Sequence, residues 1–222
     1  MLDFLSLLPY WQVFVEGIVT TLWVTVVATL LGLAIAVPFA WLRLEGPRLL
    51  SALIGIYVEL IRNTPFIVQL FFIYFGLPAL DLRLSATSCA LIAMTLNLTA
   101  YATEIIRAGI QAVPKGQREA ARVLGMSPLQ SYRHVVLVPA LSRIYPALTS
   151  QCIIVMLGSA VISQISVEEL TYAANFIQSR NFRSFETYIV ATLCYLGIAI
   201  AMRQSFEYIG RRLFGFLQGE QR

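Results

Sequence analysis

A single lysine, Lys115, and a single histidine, His134, bound the chemistry open to this chain. Gly116 follows Lys115, so the Gly-Lys-Ser/Thr end of a phosphate-cradling loop cannot form anywhere in the sequence, and ATP is not held that way. One histidine leaves too few soft ligands for a zinc site and no imidazole base beside an activated serine or cysteine. His134 reads as a solvated loop residue. The cysteines, Cys89, Cys152 and Cys194, sit singly in apolar stretches with neither metal spacing nor a disulfide framework, and read as packing residues. Neither a catalytic group nor a metal ligand set nor a cofactor of its own is expected.

What remains is polar chemistry at depth in an apolar chain. Glu59 with Arg62 and Glu104 with Arg107 are acid and base three residues apart, hence on one helix face. These pairs suit holding helices together or meeting the membrane interface. Arg62 has two readings: a charge deep in a span, which demands a partner or water, or a residue at the interface with the span starting near Asn63. Asn63, Thr64, Gln69, Asn97, Tyr101, Glu104, Ser150, Gln151 and Ser159 lie by depth and polarity where a polar solute could be passed across a membrane. Each of them could equally serve as an interhelical hydrogen bond worth ~0.6 to 2 kcal/mol.

The elements that carry these residues follow from composition. Of 222 residues, 58% are hydrophobic and 13% charged, against about a quarter charged in a soluble domain. Charge-free windows at 17–42, 63–80, 84–103, 144–167 and 187–202 take up nearly half the chain, and four of them reach the ~18 residues of a spanning helix. The expected fold is an all-α membrane protein with five transmembrane helices. Residues 1–222 form one transmembrane domain, leaving no room for a water-exposed domain that could hydrolyse ATP or capture a large ligand.

The net charge of +4 is read as membrane orientation rather than affinity for nucleic acid. With alternating spans, one side collects about 12 of the 16 Lys plus Arg: Arg43 and Arg48, the 107–143 loop, and Arg203, Arg211, Arg212 and Arg222. That side is expected to be cytoplasmic, with the N-terminus outside. Residues 1–16 hold Asp3 and Glu16 but no Lys or Arg, so the basic start of a cleaved signal peptide is missing. Their Leu, Phe, Tyr10 and Trp11 content suits a short segment lying at the outer interface of the lipid.

Within the spans, Thr21, Thr25 and Thr29 recur every four residues and Gly32 and Ala36 continue nearly the same stripe. Small residues at that period read as a helix contact face, although threonine hydroxyls could also bond back to their own helix. Pro65 lacks an amide hydrogen and crowds the preceding turn, so the second span kinks or breaks there and frees polar backbone. Pro146 and Gly158 are two weak points in the fourth.

Between the third and fourth spans lies QAVPKGQREAARVLGMSPLQSYRHVVLVPAL, from Gln111. Pro114 suits a first helical position, the stretch to Leu124 is a good helix former, and Gly125 supplies a stop. Ser127, Pro128 and Gln130 then open a second helix as N-cap, N1 and N3 of a capping box. This predicts a cytoplasmic helical hairpin that can dock in a partner's cleft and push on both flanking spans.

The segment EAARVLG, Glu119 to Gly125, with Val135, Val136 and Leu137 nine residues on, resembles the EAA loop of ABC importer permeases. The resemblance extends through IRNTPFIVQLFFIYFGLP from Ile61 and AYATEIIRAGIQAVPKGQREAA from Ala100 to the polar amino acid branch of that family, which takes histidine, glutamine, arginine and acidic amino acids. It covers most of the chain from Gly17 to Arg212. It implies an ABC type I importer-like permease fold and a non-enzymatic role in the bacterial inner membrane. Implied partners are an ABC ATPase dimer that binds ATP and Mg, a second permease subunit (a related chain or a second copy), and an extracytoplasmic solute-binding protein, with no nucleic acid. Gly116, Glu119, Ala120, Ala121 and Gly125 match the family's ATPase-coupling motif. Two departures stand out. Pro139 falls one place later than the usual Leu-Pro, and Ser150, Leu157 and Gly158 occupy fourth-span positions where many relatives carry a more polar set.

The rival classes are weaker. A membrane-embedded enzyme needs paired acids, a base or a metal cluster at depth. A lone secondary transporter would show inverted repeats, and five unequal spans do not divide evenly. A purely structural assembly subunit would not need a coupling loop.

Overall fold

The computed structural model describes residues 2–127, 130–131, 135 and 137–218. Its long helices are α1 (Trp11–Glu45), α2 (Arg48–Arg62), α3 (Phe66–Gly76), α4 (Ala86–Gln111), α5 (Lys115–Val123), α6 (Val138–Gly158), α7 (Leu170–Asn181) and α8 (Ser184–Gln218). Short 3-10 turns occupy Leu5–Tyr10, Leu77–Leu80 and Ser159–Ile165. Four stretches are long and apolar enough to cross a membrane: Leu5–Glu45, Ala86–Gln111, Pro139–Ile165 and Ser184–Phe214. A fifth is the pair α2 and α3, bent by 108° at the break, so the expected five spans include one broken one. Many large apolar side chains of α1, α3 and α8, among them Leu30, Phe72 and Leu193, face outward, as a lipid-solvated bundle requires.

The small-residue stripe of α1 is a contact face. Thr21, Thr25, Ala28, Gly32, Ala36 and Ala40 are all buried, and Thr99 on α4 donates to the Gly32 carbonyl at 3.2 Å. Thr21 Oγ1 accepts from the amide of Leu170 at 3.2 Å, whereas the hydroxyls of Thr25 and Thr29 have no hydrogen-bond partner. Packing, not back-bonding, therefore accounts for the stripe. A side chain at position 17 would put its Cβ 2.9 Å from the Leu170 Cα, so only glycine lets α7 sit this close to α1.

Two large apolar cores result, beside a smaller one of Ile54, Val58 and Ala100 between α2 and α4. One joins α1, α3, α4 and α6 through Val24, Ala28, Leu70, Leu98 and Ile144. The other joins the N-terminal turn to α6, α7 and α8 through Leu7, Phe14, Met156, Ile177 and Ile198. Within residues 1–16, expected at the outer interface, α1 begins already at Trp11, Leu7 and Phe14 point into the second core, and the Asp3 amide donates to Glu186 at 3.1 Å.

The fourth span stays helical through Pro146. Its first real change is at Ser159, where the helix tightens into a 3-10 turn that ends at Ser166 with φ +64°. The stretch after it, with its charges, gives no apolar signal, yet it contains α7. That helix is framed by two left-handed residues, Ser166 and Phe182, and capped by the Glu169 side chain, which accepts from the Tyr172 amide at 2.8 Å.

Candidate functional site

The break at Pro65 frees a carbonyl at a known place: the amide of residue 65 would have bonded to the oxygen of Ile61, and proline has none. Gln69 Nε2 takes that oxygen at 2.8 Å and also donates to the Thr64 carbonyl and hydroxyl, both at 3.0 Å. Thr64 Oγ1 donates to the Leu60 carbonyl at 2.8 Å. The other end of the Gln69 amide accepts from Asn97 Nδ2 on α4 at 3.0 Å. Thr64, Gln69 and Asn97, three residues singled out for solute contact, thus form one network that seals a broken helix and ties it to its neighbour. Tyr101 sits beside them, its hydroxyl 3.5 Å from the Arg62 carbonyl and its ring 5.7 Å beneath the Arg62 guanidinium.

The two acid and base pairs part company. Glu59 accepts from Asn63 Nδ2 at 3.1 Å, and among the described residues no salt bridge joins it to Arg62, which is exposed and lies over Tyr101. The residue after the helix competes better because Asn63 also reaches the Glu59 carbonyl at 2.8 Å. Glu104 and Arg107 do pair, through two bonds of 2.5 and 2.9 Å, and Arg107 extends to Gln111 at 2.7 Å. Both carboxylate oxygens of Glu104 are therefore engaged within its own helix.

On α6, Ser150 is exposed and lines an open cavity of about 930 Å³ between α6 and α8, together with Thr149, Ile154, Ile200 and Arg203. Its neighbour Gln151 is buried and points away from that cavity's lining. Ser159 is fully buried, and its hydroxyl donates to the Met156 carbonyl at 2.6 Å, a local bond within the turn. The nine depth candidates thus fall into a sealing network, an intrahelical ion pair, local bonds and one cavity-lining serine.

The hairpin is built from its own punctuation. Pro114 stands just before α5 and its carbonyl accepts from the Gln117 amide at 3.1 Å. Gly125 adopts φ +73°, and the Met126 amide reaches back to the Ala121 carbonyl at 3.1 Å, a left-handed stop that favours glycine. Ser127 and Gln130 then make both bonds of a capping box: the Ser127 amide donates to Gln130 Oε1 at 2.9 Å and the Gln130 amide to Ser127 Oγ at 3.3 Å. Pro128, Leu129, Tyr132, Arg133, His134 and Val136 lie outside the described residues.

This elbow turns an unusual surface outward. Gly116, Glu119 and Ala120 are exposed, and beside them Val123 and Leu124 are 88% and 79% exposed. Among the described side chains of α5 only Ala121, facing the other way, is buried, and Val113 anchors the approach from α4. Sequence reasoning placed Glu119, Ala120, Ala121 and Gly125 here but passed over Val123 and Leu124, whose signal was an apolar pair directly before a helix-stopping glycine. It also missed Glu169, which has no solvent exposure at all.

Comparison with known proteins bears on the whole chain. Residues 28–215 match the family of binding-protein-dependent transport system inner membrane components. The nopaline transport system permease protein NocM of Agrobacterium fabrum is 36% identical over 193 residues, covering 82% of this chain and 80% of its own. The glutamine transport system permease protein GlnP of Escherichia coli is 33% identical over 213 residues, covering 95% and 97%. Among solved structures, an amino acid ABC transporter crystallised with histidines superposes with a TM-score of 0.89 at 36% identity, over 96% of this chain and 99% of that one. The inward-facing methionine transporter MetNI shares the fold, with a TM-score of 0.72 at 21% identity over 92% and 98%. Members of this family are membrane permease subunits rather than enzymes, with ATP hydrolysis on a separate subunit. The chain therefore belongs to the binding-protein-dependent inner membrane component family and is a multi-pass permease subunit of an ABC importer.

Proposed function

We propose that this permease carries a polar amino acid or close analogue inward. Its α5 elbow would seat in an ABC ATPase dimer that binds ATP and Mg, and a solute-binding protein would deliver substrate to the opposite face. The N-terminus lies outside and the C-terminus in the cytoplasm, in line with the arginine-rich turn, hairpin and tail on one side. A second permease subunit, related or identical, completes the pathway. Relatives named for glutamine, nopaline and cystine support the substrate class.

The observation that carries the reading is the elbow. Exposed Glu119 and Ala120, with Val123 and Leu124 beside them, offer an apolar tip flanked by a carboxylate, on an elbow that would serve as a wedge between α4 and α6. Closure of the ATPases pushes this wedge, and the push shifts the balance between outward and inward states by the differential affinity of ATP for the two. For the pathway itself, the sealed Thr64–Gln69–Asn97 network leaves Ser150 and the α6–α8 cavity as the favoured lining, with Asn63 at the bend and Tyr101 on α4 as further candidates.

Reversing Glu119 to Lys tests the docking. Co-purification of the ATPase and transport-coupled hydrolysis should fall about tenfold, equivalent to about 1.4 kcal/mol of docking free energy. Wild-type values of both would refute the assignment.

A further inference from the structure

Glu169 is a fully buried carboxyl group with no cation paired to it among the described residues. Its Oε1 accepts from the Tyr172 amide at 2.8 Å, and Oε2 is hydrogen-bonded to the Tyr195 hydroxyl on α8. That hydroxyl in turn lies 2.8 Å from Thr171 Oγ1. From α1 the facing group is the Thr21 hydroxyl, and from the 159–165 turn the Ser159 hydroxyl, neither of which titrates. Glu168 beside it is exposed, and the charges past the other end of α7, Asp3, Arg183 and Glu186, pair with one another.

The hydrogen-bond chain is satisfied in either protonation state. With Glu169 ionised, Thr171 donates to Tyr195 and Tyr195 to the carboxylate. With Glu169 neutral, its own O–H donates to Tyr195 and Tyr195 donates to Thr171. The chain itself thus favours neither; the amide bond at the start of α7 favours the carboxylate, and the desolvation of a lone negative charge, which burial makes unfavourable, outweighs it. Burial accordingly raises the Glu169 pKa above the ordinary carboxylate range.

α7 is bounded by left-handed joints at Ser166 and Phe182, and besides apolar packing it is fastened at its start by Glu169 to Tyr195 and by the Leu170 amide to Thr21. Tyr188, whose hydroxyl donates to Asn175 at 2.5 Å, holds its middle.

We propose that α7 is a proton-set latch at the outer end of the bundle, docked while Glu169 carries its proton and loosened when that proton leaves to the outer water. The placement at the outer end rests on the orientation proposed above. Breaking the Glu169 O–H bond passes one proton to solvent and leaves an unpaired carboxylate, which is stable only once α7 lifts and water reaches it. Opening of the outer end then releases a proton and closure takes one up, so acid outside favours the closed bundle.

Hydrogen exchange on the assembled transporter tests this. In wild type, protection of the amides at 168–174, corrected for intrinsic exchange, should fall at least about tenfold between about pH 5 and about pH 8, the span open to a buried glutamic acid. Glu169→Gln, which stays neutral and keeps an acceptor for Tyr172, should hold protection high and flat. A flat wild-type profile overturns the latch, and so does an unchanged slope in the Gln variant. If that variant does not assemble, the infrared stretch of a protonated carboxyl in the wild-type complex decides: its absence above the ordinary carboxylate range refutes the proposal, and its titration in step with the loss of protection upholds it. Absence of ATP-driven uptake in the same preparation would instead count against the importer reading, whatever the exchange profile.

Discussion

The side-chain amide of Gln69 donates to the Ile61 carbonyl at 2.8 Å, filling the place that Pro65 leaves empty in the backbone ladder. Replacing Gln69 by Leu strands that carbonyl and the Asn97 amide together in a buried, water-poor site. The expected loss is about 1–3 kcal/mol, read as a lowered melting temperature in detergent. Asn97→Ala should cost less, since Gln69 keeps its bonds to Ile61 and Thr64. Equal effects of the two changes would contradict the network.

Gly109 and Gly17 separate two kinds of close approach. A Cβ at 109 would meet the Ile144 Cγ2 at 2.1 Å, a side-chain methyl that can be removed, whereas at 17 it would meet the Leu170 backbone. Gly109→Ala should therefore destabilise by about 1–3 kcal/mol and be largely rescued by Ile144→Ala in a double-mutant cycle. Gly17→Ala should lower stability without rescue by trimming Ala173 to Gly, because the Leu170 Cα stays in place. Melting curves of the five variants check both halves.

Leu124 is almost wholly exposed on the elbow and makes no contribution to either core. Leu124→Ser should leave the stability of the isolated permease, read from its melting curve, within about 0.5 kcal/mol of wild type, as surface changes do. Its affinity for the ATPase should drop about tenfold or more, measured by titrating the two in detergent. A matched loss of permease stability would mean that the residue is structural.

Glu169 fixes the sign of one pH dependence. Its folded-state pKa lies above the unfolded value, so in the window between them the folded chain holds more protons, and stability falls as pH rises through that window. Below the ordinary carboxylate pKa both states are protonated and the dependence vanishes. Melting temperature should decline on the alkaline side of that value in wild type, and Glu169→Gln should remove the decline.

Features whose cause is local were legible from the residues alone. Pro65 announced its break, Gly125 its left-handed stop, and Ser127 with Gln130 their reciprocal caps, because each acts within one turn of chain. The stripe from Thr21 to Ala36 was legible as a face but not as a face shared by α4 and α7, since which helix arrives is decided by the whole bundle. α7 escaped notice because its sequence mixes polar and apolar residues without a clear stripe, and its cap, Glu169, looks like any loop acid until Tyr195 and Thr21 close over it. The duty of the polar candidates was not legible: nothing in the order of residues says that Gln69 must turn back to Ile61 while Ser150 faces an open cavity.

The 108° bend between α2 and α3 bears on how the chain is made. At 15 and 11 residues, these helices are about 22 and 16 Å long, and neither alone reaches across the ~30 Å hydrocarbon layer. They must enter the bilayer as a unit, with the raw ends at the bend covered by Gln69 from within and by Asn97 from a helix the ribosome has yet to finish. The network that closes the bend is therefore complete only once residue 97 has been made.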